Sequence, residues 1–206
     1  MRNTLSLLSF FCSLILFTLS TSPTLAENTP PASDLIPFSA DVMQQSHQGR
    51  AAKQGSIRVS PWGVRSEGQG QQGAQILIAR SDLEKQWILI PAQKHYLEFP
   101  LSGPIRPPLP HEAGSPCKQD RSYRCTPLRH EMASGRLTQR WRIDRIIKGQ
   151  LHRHATLWID EQLKIAIRER YKDGTTIYLS SIKTADQPMK FFEIPTGYKK
   201  VEKKPE

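Results

Sequence analysis

The sequence predicts a mainly β domain built on an antiparallel sheet. Short runs with strand character, such as "GSIRVS" (55–60), "AQILIAR" (74–80) and "QWILIP" (86–91), follow one another along the chain. Glycine-rich or charged turns separate these runs, a spacing typical of all-β sheets and barrels. In the second half, apolar and polar side chains alternate with a period of two, which is the signature of strands. We therefore expect a meander of hairpins.

The chain begins with the layout of a secretory signal peptide. Arg2 precedes an apolar stretch from Leu5 to Leu19, and a small-residue site follows at Ala26. A membrane anchor is the alternative, but about 15 apolar residues are fewer than the roughly 20 that span a bilayer. We expect residues 1–26 to be cleaved and the mature protein to be periplasmic. Residues 27–36 are polar and proline-bearing, and they are expected to form a flexible linker.

The first half of the domain, which begins near residue 37, reads as consecutive hairpins. Its joints "SPWG", "GQGQQG", "SDLEK" and "PAQK" are short enough to make neighbouring strands antiparallel. The runs "ILIA" and "WILI" are apolar on both faces, so they are predicted to be the best buried strands of this half.

A proline-rich segment divides the two halves. Residues 100–116 contain six prolines and cannot form a regular helix or a central strand, so a long loop is expected. Cys117 and Cys125 follow directly. In an oxidising exported compartment, an even pair with this spacing most simply forms one disulfide.

The second half is predicted to carry an apolar concave face and a basic convex face. In "TQRWRIDRIIK" and "HATLWIDEQLKIAIRERYKDG", isoleucine, leucine and tryptophan alternate with charged side chains. Helical spacing would scatter the isoleucines. The basic residues assigned to the convex surface are Arg140, Arg142, Arg168 and Arg170.

No motif in the sequence predicts catalysis, a cofactor or a metal. His152 and His154 could chelate together, but no further ligands show matching spacing. Asp160 and Glu161 are adjacent, so they cannot converge across a substrate and are read as a solvated turn. No nucleophile elbow G-x-S-x-G is present. We expect the protein not to be an enzyme.

The formal net charge is +10, and the signal peptide contributes only Arg2 to it. Such an excess attracts anionic partners. For an exported protein an anionic membrane surface is a plausible partner, and no nucleic-acid motif is present. Basic strand faces in contact with solvent alone are the alternative.

The order of several short motifs points to a family. The second half contains "WID" (158–160), "DG" (173–174), "SSIK" (180–183) and "FFEIPTGYKKV" (191–201), and the first half contains "FSADV" and "IARSDLEKQWILIPAQKHYLEFP". In this order they resemble the LolA-like superfamily, the periplasmic outer-membrane lipoprotein-sorting proteins and their relatives. The resemblance covers residues 37–201, and residues 202–206 form a polar tail.

The resemblance implies a half-open antiparallel β-barrel with a hydrophobic concave face and no catalysis. Lipoprotein carriers of this family cover the barrel with helices, which the proline-rich loop cannot supply. The cysteine segment is also additional to the carrier pattern. The chain therefore looks closer to an uncharacterised branch than to the carriers themselves.

Two functions follow as expectations. The first is a binding protein that cradles a lipid, lipoprotein or other amphiphile on the apolar face of a curved sheet. The residues expected to contact it are Trp87, Trp141, Ile143, Leu157, Ile159 and Ile165. The alternative is an envelope protein-interaction or stress-sensing module that recognises a protein partner by its sheet edge or loops. A cavity would favour the first function, and a packed interior the second.

Overall fold

The computed structural model describes residues 35–70, 73–101, 116–117 and 120–202. The predicted signal peptide, most of the predicted linker and most of the proline-rich loop lie outside these residues, as does the end of the polar tail.

Strands account for nearly all regular structure in the described residues, and none of these residues is in an α-helix. The strands are β1 (Phe38–Gln45), β2 (Ala51–Ser60), β3 (Gly63–Gly70), β4 (Gly73–Arg80), β5 (Lys85–Ile90), β6 (His95–Pro100), β7 (Tyr123–Ala133), β8 (Arg136–Ile147), β9 (Gln150–Asp160), β10 (Ile165–Tyr171), β11 (Thr176–Thr184) and β12 (Lys199–Lys200). The described residues also contain two short 3-10 turns, Pro91–Gln93 and Met189–Phe192.

The strands form one sheet of 12 in the order β12-β6-β5-β4-β3-β2-β1-β11-β10-β9-β8-β7. All neighbours are antiparallel except β12, which runs parallel to β6. The sheet does not close into a barrel, so the predicted mainly β fold with a half-open antiparallel sheet is confirmed. The joints predicted to make hairpins do so from β2 through β6.

The sheet curls back on itself at one end. Ser134, in the turn between β7 and β8, donates its hydroxyl to the carbonyl of Leu179 in β11 at 2.6 Å. Strands β9 and β10 lie between β8 and β11 in the sheet order. Because neighbouring strands are about 4.8 Å apart, a flat sheet would keep these residues more than about 10 Å apart. The second half is therefore strongly curved, as predicted.

The main apolar cluster joins β1–β3 to β7–β11. Phe38, Ile57 and Val59 from the first half belong to it, together with Leu157 and Ile159 from the second. Each of these side chains is at most 1% exposed. The cluster therefore unites the two ends of the sequence across the β1–β11 pairing, whose register includes Val42 opposite Leu179.

A second apolar cluster lies on the other face of the first half. The C-terminal segment crosses this face and buries Phe192 completely against Ile78, Trp87 and Leu89. Polar contacts fasten the segment: Arg65 donates to the carbonyl of Phe191 at 3.0 Å. The predicted buried strands β4 and β5 thus owe their second buried face to a segment more than 90 residues downstream.

No helix among the described residues has the length and hydropathy needed to cross a membrane.

Candidate functional site

The apolar face of the second half is defined by the strand register. Leu157 pairs with Trp141 on one side and with Glu169 on the other, and Glu169 pairs with Ile177. Paired residues in antiparallel strands point to the same face. A second row contains Cys125, Ile143, Ala155 and Tyr171. These two rows define the site that we call the Trp141 face.

The Trp141 face is not uniformly closed. Leu157, Ala155 and Ile143 are buried, whereas Trp141, Tyr171 and Ile177 are only half-buried. The half-buried side chains pack against the main cluster and keep part of their surface exposed. Leu157 can be reached only if the packing above it opens.

A small polar cluster sits within the Trp141 face. Burial raises the pKa of Glu169 above its usual value, against the opposing effects of a hydrogen bond with Tyr171 and of nearby His154. Burial, followed by the charge of Glu169, raises the pKa of Tyr171 to about 12. The imidazole of His154 lies between two phenol rings, with centroids 5.2 Å from Tyr123 and 6.0 Å from Tyr171.

One polar atom of this face has no partner. The indole Nε1 of Trp141 is buried and makes no hydrogen bond within the described part of the chain. Such a donor costs free energy when it is left unpaired, by about 1–3 kcal/mol. A ligand with an acceptor oxygen would satisfy it if the groups that cover this atom moved aside.

The predicted disulfide is present beside this face. Cys117 is bonded to Cys125, with the two Cα atoms 5.7 Å apart. Cys125 pairs with Ile143 in the strand register. The end of the proline-rich loop is thereby attached next to the Trp141 face.

The structure brings four of the six predicted contact residues together. Trp141, Ile143, Leu157 and Ile159 share the apolar face of β8 and β9. Trp87 lies in the other apolar cluster and donates its Nε1 to Glu98 at 3.0 Å, and this bond is the leading cause that lowers the pKa of Glu98 to about 2.

Ile165 is the other exception. It pairs with Asp160, and Ala166 takes the position opposite Ile159, because a bulge follows Ala166 in β10. Strict alternation had placed Ile165 beside Leu157. Ile165 is 3% exposed and packs in the main cluster from the opposite side of its strand.

The four basic residues named from the sequence lie on the face opposite to the Trp141 face, but they are not equivalent. Arg140 forms an ion pair with Glu131 at 2.7 Å, and Arg142 forms one with Asp144 at 2.8 Å. Arg168 and Arg170 have no carboxylate within ion-pair distance in the described residues. The basic surface is thus neutralised on β8 and remains charged on β10.

Arg168 is held by aromatic rings. Its guanidinium carbon lies 5.6 Å from the ring centroid of Trp158 and 5.6 Å from that of Tyr178. Trp158 in turn donates its indole N–H to Glu131. These contacts fix the guanidinium on the sheet without using up its hydrogen-bond donors.

A cleft of about 280 Å³ opens beside Arg168 and Arg170. It lies between β10, β9 and the β1–β2 turn, and we call it the arginine cleft. Its lining consists of Gln45, Ser46, His47, Gly49, Trp158, Arg168, Arg170, Gly174 and Thr176. No carboxylate belongs to this lining.

The comparisons with known proteins identify the fold and nothing finer. The fold is shared with a protein of Thermus thermophilus. That uncharacterised conserved protein superposes with a TM-score of 0.52 at 10% sequence identity, over 82% of this chain and 93% of its own. Neither a family model nor a curated protein matches the sequence.

Two further solved structures are similar at lower scores. MucB, in a complex with MucA(peri), gives a TM-score of 0.47 at 12% identity, over 78% of this chain and 54% of its own. A LolA superfamily protein of Nitrosomonas europaea gives 0.30 at 11% identity, over 80% and 92%. The superfamily predicted from the sequence is thus among the structural matches, at the level of the fold only. No function follows from likeness this distant.

The described residues contain no group of three or more side chains suited to hold a metal ion. The interpretation of Asp160 and Glu161 as a solvated turn is wrong for Asp160, which is 1% exposed. Its carboxylate forms an ion pair with Arg136 and accepts the backbone N–H groups of Gln162 and Leu163, both at 2.9 Å.

Sequence reasoning missed Glu169, Tyr171 and Ser46 as members of the two sites. Glu169 and Tyr171 continue the alternation of Ile165 and Ile167 along β10. Extending this period of two by four residues would have placed both on the predicted apolar face. Ser46 carries no such signal, because its position depends on where the β1–β2 turn meets β10.

Proposed function

We propose that this chain is an exported, non-enzymatic binding protein that holds a lipid, a lipoprotein or another amphiphile on its Trp141 face. The observation that carries this proposal is a half-open apolar surface with an unpaired indole N–H and a few grouped polar side chains. Ligand sites typically combine apolar walls with a small number of placed polar groups. The motif order that resembles lipoprotein-sorting proteins supports the same class of ligand.

Export is part of the proposal. The N-terminal sequence has the layout of a signal peptide, and the Cys117–Cys125 disulfide fits an oxidising compartment such as the periplasm. The absence of a catalytic motif from the sequence supports a role in binding and not in catalysis.

The geometry suggests how an amphiphile would be held. Its apolar chain would lie along Trp141, Ile177 and the buried row behind them. An ester or amide carbonyl would accept the indole N–H of Trp141 once the groups that cover this atom moved aside. Glu169, whose raised pKa favours the neutral form, could then donate to a second oxygen when protonated.

The test is native mass spectrometry of the mature protein purified from its own envelope, followed by displacement of a neutral fluorescent probe such as N-phenylnaphthylamine. We expect a lipid-sized adduct and a displaceable probe. Trp141→Ala should weaken probe binding about tenfold, because the ring contributes a large apolar area. Trp62→Ala is the matched control, since Trp62 is also half-buried but packs against the other cluster. No adduct together with no displaceable probe would remove the proposal.

A second function is favoured by one specific observation. Strand β7 is an outer strand of the sheet, and Met132 and Leu137, paired across β7 and β8, are 62% and 57% exposed. An unpaired strand edge with adjacent apolar side chains can accept an added strand. The chain would then be an envelope interaction module that binds an extended protein segment.

Crosslinking in the native envelope separates these functions. A photoreactive residue at position 132 should capture a protein if the edge binds a partner, whereas one at position 83 should not. Leu83 is a suitable control because it is also exposed, at 46%, but lies in the turn after β4. Equal capture at both positions would count against the interaction module.

A further inference from the structure

We propose that the arginine cleft is a binding site for a phosphate group. The cleft is formed on β10 by Arg168 and Arg170 and is closed on one side by the β1–β2 turn. It is a different site from the Trp141 face, because Arg168 pairs with Trp158 and Tyr178 whereas the intervening Glu169 pairs with Leu157 and Ile177. The two sites therefore lie on opposite faces of β10.

The positive charge of the cleft is not paired with a carboxylate of any described residue. Within the described residues neither Arg168 nor Arg170 forms an ion pair, although Arg140 and Arg142 on the same face both do. The neighbouring carboxylate of Asp173 accepts the N–H of Thr175 at 2.8 Å, within its own turn. Two cations at the rim of a partly closed cleft attract an anion more strongly than the same cations do on an open surface.

Two buried polar atoms in the cleft lack partners. The hydroxyl oxygen of Ser46 and the Nε of Arg168 are both buried and make no hydrogen bond to any described residue. Both groups belong to residues that line the cleft. An oxyanion that entered the cleft and displaced the groups covering these two atoms would accept from each, which would remove two unfavourable unpaired donors.

The cleft is held open by fixed elements. The β1–β2 turn is closed by a bond from the N–H of Gly49 to the carbonyl of Ser46 at 2.9 Å. Gly174, with a φ of +84°, lets the β10–β11 turn approach His47 so closely that a Cβ there would lie 3.0 Å from the His47 Cβ. Arg168 is fixed by its two aromatic neighbours. The turns that wall the cleft and the Arg168 side chain are therefore positioned before a ligand arrives, which lowers the entropic cost of binding.

The number of donors favours phosphate over a simple carboxylate. Two guanidinium groups and one hydroxyl offer more donors than the two oxygens of a carboxylate can use, and planar guanidinium groups match phosphate oxygens in bidentate geometry. The phosphate could be free in solution or could belong to a lipid headgroup.

Isothermal titration calorimetry of the mature protein with inorganic phosphate, in a buffer free of other oxyanions, tests the free source. Flotation with phosphatidylcholine vesicles, with and without phosphatidic acid, tests the lipid source. Arg170→Gln removes one cleft cation, and Ser46→Ala removes the hydroxyl without changing the charge. Lys172→Gln is the matched control, because it removes the same charge two residues further along, outside the cleft lining.

We expect Arg170→Gln to weaken binding by at least about tenfold, as for other charge-assisted hydrogen bonds, and Ser46→Ala by about threefold or more. Lys172→Gln should change it by less than about twofold. This pattern with inorganic phosphate supports a site for free phosphate, and the same pattern only with phosphatidic acid supports a headgroup site. Equal weakening by Arg170→Gln and Lys172→Gln, or no binding of either probe, would overturn the proposal.

Discussion

Asp160 and Glu161 are adjacent carboxylates with opposite surroundings. The side chain of Asp160 is 2% exposed and that of Glu161 is 53% exposed. Asp160 ends β9 and organises the turn that follows. Within the part of the chain that the structure describes, Glu161 contacts only the exposed imidazole of His130, at 2.9 Å. At the scale of the residue, the number of partners and the burial determine the energetic importance of a charge.

Asp160→Ala should therefore lower the free energy of unfolding by about 3–5 kcal/mol, because it leaves Arg136 without its buried partner and two turn N–H groups without an acceptor. Glu161→Ala, the neighbouring control, should change it by less than about 0.5 kcal/mol. Urea denaturation followed by circular dichroism measures both. Similar losses for the two variants would mean that Asp160 does not organise the turn.

Glu169 should make stability depend on pH in the direction opposite to an ion-paired acid. Its pKa is raised in the folded state, so the unfolded chain loses this proton first as the pH rises. Ionisation of buried Glu169 therefore destabilises the folded state, and this loss is complete above the pKa of the folded state. Below the unfolded pKa of about 4.5 the carboxyl is protonated in both states, so it does not make stability depend on pH. Glu169→Gln should thus stabilise the protein at pH 7 and lose this advantage near pH 4.

Urea denaturation at the two pH values measures this difference, with Glu84→Gln as the control in an exposed turn. A Glu169→Gln variant that is equally or more unstable at neutral pH would contradict the burial argument.

At the scale of the element, hairpins and strand periodicity follow from local sequence, but bulges do not. Short joints placed β2 through β6 correctly, and alternation placed Leu157 and Ile159 on one face. The bulge after Ala166 exchanges the two faces of the sheet for the residues that precede it. Ile165 therefore points away from the face that carries Leu157. No local pattern in the sequence marks this bulge.

In the two sites, too, some features follow from local sequence and others do not. Periodicity alone predicts that Arg168 and Arg170 share one face of β10. Their lack of ion-pair partners among the described residues depends on which acids the neighbouring strands supply, and there Asp144 of β8 pairs with Arg142. The contribution of Ser46 depends on a turn more than 120 residues upstream, which no local pattern in the sequence records.

The disulfide joins the end of a loop to β7, and its effect on stability should be that of a short closed loop. Reduction should lower the free energy of unfolding by roughly 2–3 kcal/mol, mainly through the greater freedom of the unfolded chain. Thermal unfolding with and without dithiothreitol measures this loss. The double variant Cys117→Ser, Cys125→Ser should melt like the reduced protein and be indifferent to dithiothreitol, and a variant that melts like the oxidised protein would exclude a stabilising role.

At the scale of the whole molecule, one continuous sheet carries two separate apolar clusters. Among the described residues, the main cluster contains 16 buried side chains, mostly from β1–β3 and β7–β11, whereas the second contains four, namely Ile78, Trp87, Leu89 and Phe192. The second cluster covers β4 and β5 near one edge of the sheet and depends on the C-terminal segment. Regions with fewer buried apolar contacts open at lower free energy than the rest of a structure.

Backbone amides in β5 and β6 should consequently exchange with deuterium faster than those in β9, which lies inside the main cluster. Phe192→Ala removes a fully buried ring at a cost of about 3–5 kcal/mol, and this cost should fall mainly on β4 to β6. Hydrogen–deuterium exchange with peptide resolution should show faster exchange there and little change in β9. Phe191→Ala, which removes a half-buried ring from the same segment, should have a smaller effect in the same region. If Phe192→Ala accelerates exchange equally in β9, the two clusters unfold as one unit.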